Sequence, residues 1–169
     1  MLVGAAVFFF FLFQAQTVQW AHKVLDASSQ YSETQMGAKQ ALGPPNAATT
    51  GSLSELGWAV RSEGSREGVP ASSITVTFQK PMNIQQVAVV ENANPGGVFE
   101  VYVFDEKNNS KRVYRAVPAR TKENYRLLNI HFEMTKKPIY AVKVLVDNAM
   151  TEGWQQIDAI AISDGAESI

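Results

Sequence analysis

Hydrophobic and polar residues alternate along most of the chain. Ile74, Val76 and Phe78 alternate with Thr75 and Thr77, which is the period of a β-strand with one buried face. Similar segments are Ile84–Val90, Val98–Phe104, Leu128–Phe132, Tyr140–Val146 and Ile160–Ile162, and weaker ones are Trp20–Leu25, Trp58–Arg61 and Lys111–Val117. No segment keeps a 3.6-residue period over several turns. The pattern predicts an all-β protein.

Turn-forming residues separate these segments. Asn94–Gly97 (NPGG) is typical of a tight turn, because proline fixes φ and glycine tolerates positive φ. Asp105–Ser110 has the polar composition of a hairpin loop, and Pro81 and Pro138 each precede a strand, where a missing N–H costs least. Short strands separated by turns favour an antiparallel β-sandwich, a jelly roll of about eight or nine strands.

One long segment, Ala27–Gly57, lacks any strand pattern. It is rich in Ser, Gly, Ala, Thr and Asn, and Gln35–Leu42 within it could form a short helix that ends at Gly43. A strandless segment of this length in a compact domain is usually a binding loop or disordered. We expect an ordered loop that covers one end of the sandwich. Residues 165–169 are expected to be a tail or the start of a linker.

The first residues have the composition of an export signal. Leu2–Phe13 is an uncharged apolar run of the length of a signal-peptide core and is too short to span a bilayer. Small and polar residues follow, which places cleavage after Ala15 and the signal peptide at residues 1–15. A buried strand or helix is the alternative interpretation. The prediction is an exported protein of the periplasm, outer membrane or extracellular space, with no membrane span after signal removal.

Charge and composition exclude several functions. The 169 residues have a formal net charge of −1, which does not provide the positive surface that nucleic-acid binding requires. The chain has no cysteine, so disulfides, thiol nucleophiles and cysteine zinc sites are excluded. A serine–histidine–acid triad is not favoured, since His131 alternates with apolar neighbours on the outside of its strand and His22 lies beside Trp20. We expect no enzyme activity.

Several motifs together resemble a known family. They are WA at Trp20–Ala21, DASSQYS at Asp26–Ser32, AKQALGPPN at Ala38–Asn46, GWA at Gly57–Ala59, ENANPG at Glu91–Gly96 and WQQIDAI at Trp154–Ile160. Their order resembles the galactose-binding-like domain, the jelly roll of discoidin domains and carbohydrate-binding modules. It looks most like the domain near the N-terminus of Bacteroidetes OmpA-type outer-membrane proteins. The resemblance covers residues 18–164, which we take as the domain.

The resemblance implies a jelly roll whose loops at one end bind sugars or lipid surfaces. Relatives often hold a structural Ca²⁺ beside the early long loop. In the discoidin-like pattern an Asp-Gly pair supplies a carboxylate there, whereas this chain has Leu42–Asn46 without an acid, and the late glutamate falls near Gln156 or Asp158. Calcium prefers several oxygen ligands with carboxylates among them. A structural Ca²⁺ therefore has weak support.

Acidic residues of the motifs are candidates for a site at this end. Asp26, Glu91 and Asp158 could meet there, with Asn46 beside them. Asp158 has the same strand parity as Ile160 and Ile162, so its carboxylate is expected to be partly buried and to require a partner. The alternatives are a clamp that accepts backbone N–H bonds from the Gly43–Asn46 region, a calcium site and direct ligand contact.

The remaining candidates are aromatic and amide side chains. Trp20 and Trp58 are expected to be buried, while Trp154 could either pack or stack on a sugar ring. Trp154, Asn92, Asn94 and Glu91 are the candidate ligand-binding residues. The predicted function is a non-catalytic cell-envelope binding module that recognises glycan or another surface component. The alternative is a structural or assembly domain of an outer-membrane complex with a protein partner.

Overall fold

The chain folds into two antiparallel sheets. The structure, a computed structural model, describes residues 15–59, 71–147 and 154–169, so the predicted signal peptide lies almost entirely outside the described residues. The strands are β1 (Val18–Trp20), β2 (Lys23–Ala27), β3 (Trp58–Ala59), β4 (Ala71–Met82), β5 (Gln86–Ala93), β6 (Val98–Asp105), β7 (Ser110–Arg115), β8 (Arg126–His131), β9 (Ile139–Asp147) and β10 (Gln156–Ser163). The described part of the chain thus has ten strands.

The strand order is that of a sandwich. Sheet A has the order β1-β10-β5-β8, with β3 also paired to β10, and sheet B has the order β2-β4-β9-β6-β7. All pairs are antiparallel. The predicted all-β antiparallel β-sandwich is therefore confirmed. Eight or nine strands were predicted, and the additional strands are the two shortest, β1 and β3.

The core lies between the inner faces of the sheets. Ile74, Val76 and Phe78 of β4 are buried there, and the threonines between them are partly exposed, as the alternation predicts. The inner residues of β9 and β10 are mostly Val and Ile, which pack well on a pleated surface. A helix in the long segment is reduced to a four-residue 3₁₀ turn at Ala38–Ala41, whose two alanines enter the core.

The parity of β10 differs from the sequence prediction. Ile157, Ile160 and Ile162 all belong to the core, and the register to β5 shifts between Ile157 and Ala159. This β-bulge places an extra residue in the strand and inverts the alternation across it. Asp158 therefore points to the outer face of sheet A. The prediction that it shares a face with Ile160 and Ile162 is wrong, although its carboxylate is buried.

Register fixes which loops lie together. Strands β2, β5 and β7 all terminate at the same end of the sandwich. At this end Ala93 is paired with Gln156, and Glu91 is paired with Arg126. Residues 28–57, 94–97 and 116–125 therefore meet at this end, which we call the loop end. Residues 106–109 and 132–138 lie at the opposite, far end. No helix in the described ranges has the length and apolar character needed to cross a membrane.

Asp105 organises the far end. Its carboxylate accepts hydrogen bonds from the Asn109 side chain and from the backbone N–H groups of Asn109 and Lys107, and Lys137 lies 3.2 Å away. These donors, the Asn109 side chain foremost, lower the pKa of Asp105 from 3.8 to about 2. The ionised carboxylate thus holds the β6–β7 turn against the segment that precedes β9.

This pKa gives a pH dependence for unfolding. A carboxyl with a depressed folded-state pKa stabilises the fold above its unfolded pKa, and that contribution is lost as the pH falls toward the folded value. We expect Asp105→Asn to be less stable than wild type at neutral pH, with the difference closing between about pH 4 and pH 2. Urea unfolding at a series of pH values measures this. Asp26→Asn, at an exposed carboxylate, is the control, and an Asp105→Asn difference that is constant with pH would contradict the assignment.

Candidate functional site

Asp158 fastens the long loop to the outer face of sheet A. Both carboxylate oxygens lie 3.2 Å from the backbone N of Asn46, and Oδ2 accepts a further bond from the N–H of Ala47 at 3.1 Å. The side chain is 1% exposed. Burial, and secondly the charge of Asp158, raise the pKa of the nearby Tyr125. Of the three alternatives for Asp158, the clamp on the loop backbone is the arrangement present.

Gln156 fastens the other half of the same loop. Its Oε1 accepts bonds from the Ser54 N–H at 2.9 Å and from the Asn92 amide at 2.7 Å, and its Nε2 donates to the carbonyls of Ser54 and Gly57. A Cβ on Gly57 would collide with the Gln156 and Asn92 side chains, so glycine is required for this approach. Gln156 and Asn92 are both fully buried. Asn92 therefore supports the loop and does not reach the surface.

Glu91 fastens the turn between β5 and β6. Its Oε1 accepts bonds from the backbone N–H groups of Gly96 at 3.0 Å and Val98 at 3.4 Å, and its Oε2 is paired with Arg126. Glu91 is 3% exposed. The buried carboxylate of Glu91 thus has hydrogen-bond donors for both oxygens inside the domain. We assign Glu91 and Asn92 a structural role in place of the predicted ligand contact.

A polar pocket of about 320 Å³ lies at the loop end. Its lining is Gly51, Asn94, Pro95, Arg120, Thr121, Lys122, Glu123 and Asn124. The 116–125 loop is held on the β5–β6 turn, because Ala119 N–H donates to the Gly96 carbonyl at 3.2 Å and Thr121 N–H to the Pro95 carbonyl at 3.4 Å. The walls are therefore fixed before any ligand enters.

Glycines allow the close approach of the pocket walls. Gly51 has φ of 77° and a Cβ there would collide with Asn124. Gly96 has φ of 110° and a Cβ would collide with the Ala119 carbonyl. Asn94 also adopts a left-handed conformation, with φ of 47°, which Asn tolerates better than most residues. All three positions thus favour residues that tolerate positive φ, and positions 51 and 96 also leave no room for a Cβ.

An aromatic pair adjoins the polar pocket. The rings of Tyr31 and Trp154 meet edge to face with centroids 5.1 Å apart; Tyr31 is 42% exposed and Trp154 is partly exposed. Asn94 links the two features, because it lines the pocket and its amide donates to the Trp154 carbonyl at 2.7 Å. Trp58 is fully buried, as predicted, whereas Trp20 is half-buried.

The structure separates the predicted metal candidates. Asp26 is exposed on β2 in sheet B, while Asp158 lies buried on sheet A, and the Asn46 contact to Asp158 comes from its backbone. Within residues 15–59, 71–147 and 154–169, no group of three His, Cys, Asp or Glu side chains could hold a metal ion. The oxygens of Asp158 are directed at backbone donors, so we assign it to the loop clamp.

Sequence reasoning missed the charged part of the pocket. Arg120, Lys122 and Glu123 come from a connection without a hydrophobic pattern or a motif, and their approach to Asn94 follows only from the register of β7 and β8. Tyr31 belongs to the DASSQYS motif, but nothing in the sequence indicates that it contacts Trp154. Gln156 was considered for its place in the motif and proves to be a clamp with four hydrogen bonds.

Solved structures of other proteins share the fold. The family 32 carbohydrate-binding module of Streptococcus pneumoniae EndoD is 16% identical with a TM-score of 0.54, covering 85% of this chain and 95% of that chain. The Clostridium perfringens module CpGH89CBM32-5, in complex with GalNAc-β-1,3-galactose, is 15% identical with a TM-score of 0.54, covering 89% and 95%. Reduced XRCC1, bound to the DNA polymerase β catalytic domain, is 14% identical with a TM-score of 0.58, covering 84% and 95%.

These identities show a common fold, the galactose-binding-like jelly roll, and the fold alone does not define a function. Comparison with curated proteins finds no match. A family model gives the more specific result. The model described as "Pappalysin-1, SD scarf domain, C-terminal" matches residues 13–168. Because this match spans nearly the whole chain, the chain belongs to the family of the C-terminal SD scarf domain of pappalysin-1.

Proposed function

We propose that the domain is a non-catalytic module that binds glycan at its loop end. The observation that carries the proposal is the polar pocket beside the partly exposed aromatic pair, Tyr31 and Trp154. Sugars combine hydroxyl groups, which hydrogen-bond, with apolar ring faces, which stack on aromatic side chains. Solved carbohydrate-binding modules with the same fold support this choice. Export to the cell envelope is part of the proposal and rests on the apolar leader.

Rigid walls suit such a site. The clamps at Asp158, Gln156 and Glu91 are buried side chains that hold the long loop and the β5–β6 turn by hydrogen bonds. Ligand binding then orders few additional groups, so little of the interaction free energy is lost to entropy. The polar groups of these clamps face the protein, which leaves recognition to the pocket lining and the aromatic pair.

A glycan array probed with the purified protein tests the proposal. We expect Tyr31→Ala and Trp154→Ala each to weaken binding by about tenfold, because each removes part of the stacking surface. Met134→Ala is the matched control, since Met134 is 44% exposed at the far end and its loss should leave affinity unchanged. Thermal melts establish that the variants remain folded. Absence of glycan binding by the wild-type protein would refute the proposal.

A second candidate is a protein-binding role for the outer face of sheet B. Tyr102 and Phe104 alternate with the core residues Val101 and Val103, so they lie on the outer face, where both are partly exposed. Aromatic side chains are enriched at protein–protein interfaces, so this pair is a candidate contact surface for a protein. Tyr102→Ala with Phe104→Ala would then weaken complex formation with a partner captured from the native source, while glycan binding at the loop end would be unaffected.

A further inference from the structure

The polar pocket offers more hydrogen-bond donors than acceptors. Arg120 contributes five N–H groups and Lys122 three, and both side chains are exposed. The Thr121 hydroxyl lies near the carbonyls of Pro95 and Glu123 at 3.4 and 3.2 Å and donates within the loop. Acceptors are the carboxylate of Glu123 and the amide oxygens of the two asparagines. A ligand that supplies acceptors is therefore complementary to the pocket.

The two cations are also available for a ligand. Among the described residues, neither Arg120 nor Lys122 has an ion-pair partner, whereas Arg112, Arg126 and Lys137 each contact a carboxylate. The pocket lining holds two cations and one carboxylate, Glu123, so its charge is +1. This local excess contrasts with the net charge of −1 for the chain. The positive charge is concentrated where the ligand of the proposed function would lie.

The backbone on both sides of Arg120 is held in place by the β5–β6 turn. Arg120 lies between Ala119 and Thr121, and the backbone N–H groups of both neighbours are bonded to carbonyls of the β5–β6 turn. The turn itself is held by Glu91. The backbone that carries Arg120 is thus ordered in the free protein, which reduces the cost of presenting the guanidinium to an anion.

We infer that the ligand is an anionic saccharide, whose sulfate or carboxylate group binds Arg120 and Lys122 while a sugar ring contacts Tyr31 and Trp154. The inference rests on the proposed function and specifies its ligand class. Arginine binds planar or tetrahedral oxyanions through paired N–H groups, and lysine adds a point charge. Sulfate and carboxylate share this chemistry, and the experiment below distinguishes them.

Matched saccharides test the ligand class. Affinities for N-acetyllactosamine, its sulfated form and its sialylated form are measured by calorimetry at low and high salt. We expect at least one anionic form to bind about tenfold more tightly than the neutral form, as a charge-assisted hydrogen bond predicts, with the advantage reduced at high salt. The form preferred identifies sulfate or carboxylate. Equal affinity for all three would overturn the inference and leave the proposed function intact. Binding of neutral glycans on the array, with no binding of either anionic form, would also overturn the inference alone, while absence of any glycan binding on the array would overturn both.

Charge-neutral variants test whether Arg120 and Lys122 are the residues that bind the anionic group. Arg120→Gln and Lys122→Gln are expected to remove most of the preference for the anionic form and to change neutral binding little. Glu123→Gln is expected to strengthen anionic binding, because it removes a like charge from the pocket. In a pocket for neutral sugars, Glu123 would accept hydroxyl groups and the same substitution would weaken binding, which would overturn the inference. Lys136→Gln at the far end is the control and should have no effect.

Discussion

Trp58→Ala is expected to lower the free energy of unfolding by about 3–5 kcal/mol. Trp58 is 0% exposed in the core, and its indole N–H donates to the Ser29 carbonyl at 2.9 Å. Its strand, β3, also receives the long loop, since Ala59 N–H donates to the Met36 carbonyl and Tyr31 N–H to the Ala59 carbonyl. Loss of the indole leaves a cavity beneath this loop and leaves the partly buried Ser29 carbonyl without its donor. Urea unfolding followed by circular dichroism measures the change.

Two further variants separate the causes. Trp58→Phe retains a large ring but removes the N–H donor, so we expect a smaller loss of about 1–2 kcal/mol. Trp20→Ala truncates a tryptophan that is only half-buried, and its cost should lie well below that of Trp58→Ala. A Trp58→Ala protein as stable as the Trp20→Ala protein would contradict the role of Trp58 as the anchor of the loop end.

Several strands could be predicted because one of their faces is buried and the other is partly exposed. In β4 and β9 the inner residues alternate with partly exposed ones, so period-two patterning is visible in the sequence. Strands β1 and β3 are shorter and are defined by their pairing to β10. Pairing of this kind depends on residues more than 90 positions away, as in Ile157 with Trp58, and local pattern does not contain it.

The face of Asp158 could not be predicted for a related reason. Alternation assumes a regular strand, and the bulge between Ile157 and Ala159 adds one residue. The burial of the carboxylate was nevertheless expected, and bonds from backbone N–H groups of the loop were one of the three alternatives, because a buried acid requires a partner. The need of a buried carboxylate for hydrogen-bond donors therefore predicted more about Asp158 than the alternation of faces along the strand did.

The motifs predicted the fold more reliably than its context. Glu91, Asn92 and Gln156 belong to the quoted motifs, and all three prove to be buried supports of the loops. Such residues preserve the architecture in domains with different ligands. The residues available to a ligand, Arg120 and Lys122, lie in a connection without a motif. The OmpA-type context stays a prediction, and the family that matches the chain is the pappalysin-1 SD scarf domain.

The buried clamps therefore have a structural role at the loop end, and ligand recognition is left to other residues. Asp158, Gln156 and Glu91 direct their polar atoms at loop backbone and not at solvent. Loop sequences between the clamped points can then vary without loss of the fold, provided that glycine is kept where the walls approach. Binding specificity on this fold is expected to reside in residues such as 120–124, which the clamps position but do not contact directly.

Glu91→Ala is expected to lower the free energy of unfolding by about 3 kcal/mol and also to weaken ligand binding. The substitution removes the acceptor of the Gly96 and Val98 N–H groups and leaves Arg126, whose side chain is 20% exposed, without its carboxylate. An unpaired, largely buried cation accounts for most of the cost. The turn that presents Asn94 and Pro95 to the pocket is released at the same time, so affinity falls although Glu91 does not touch the ligand.

Glu100→Ala is the matched control for this prediction. Glu100 also contacts two arginines, Arg112 at 2.9 Å and Arg115 at 3.6 Å, but those arginines are 41% and 69% exposed. Exposed ion pairs contribute little to stability, so the control should cost less than about 1 kcal/mol. Adding Arg126→Met to Glu91→Ala removes the unpaired charge and should recover part of the stability but not the affinity, because the turn remains without its acceptor. Recovery of both would show that Arg126, and not the clamp on the turn, determines binding.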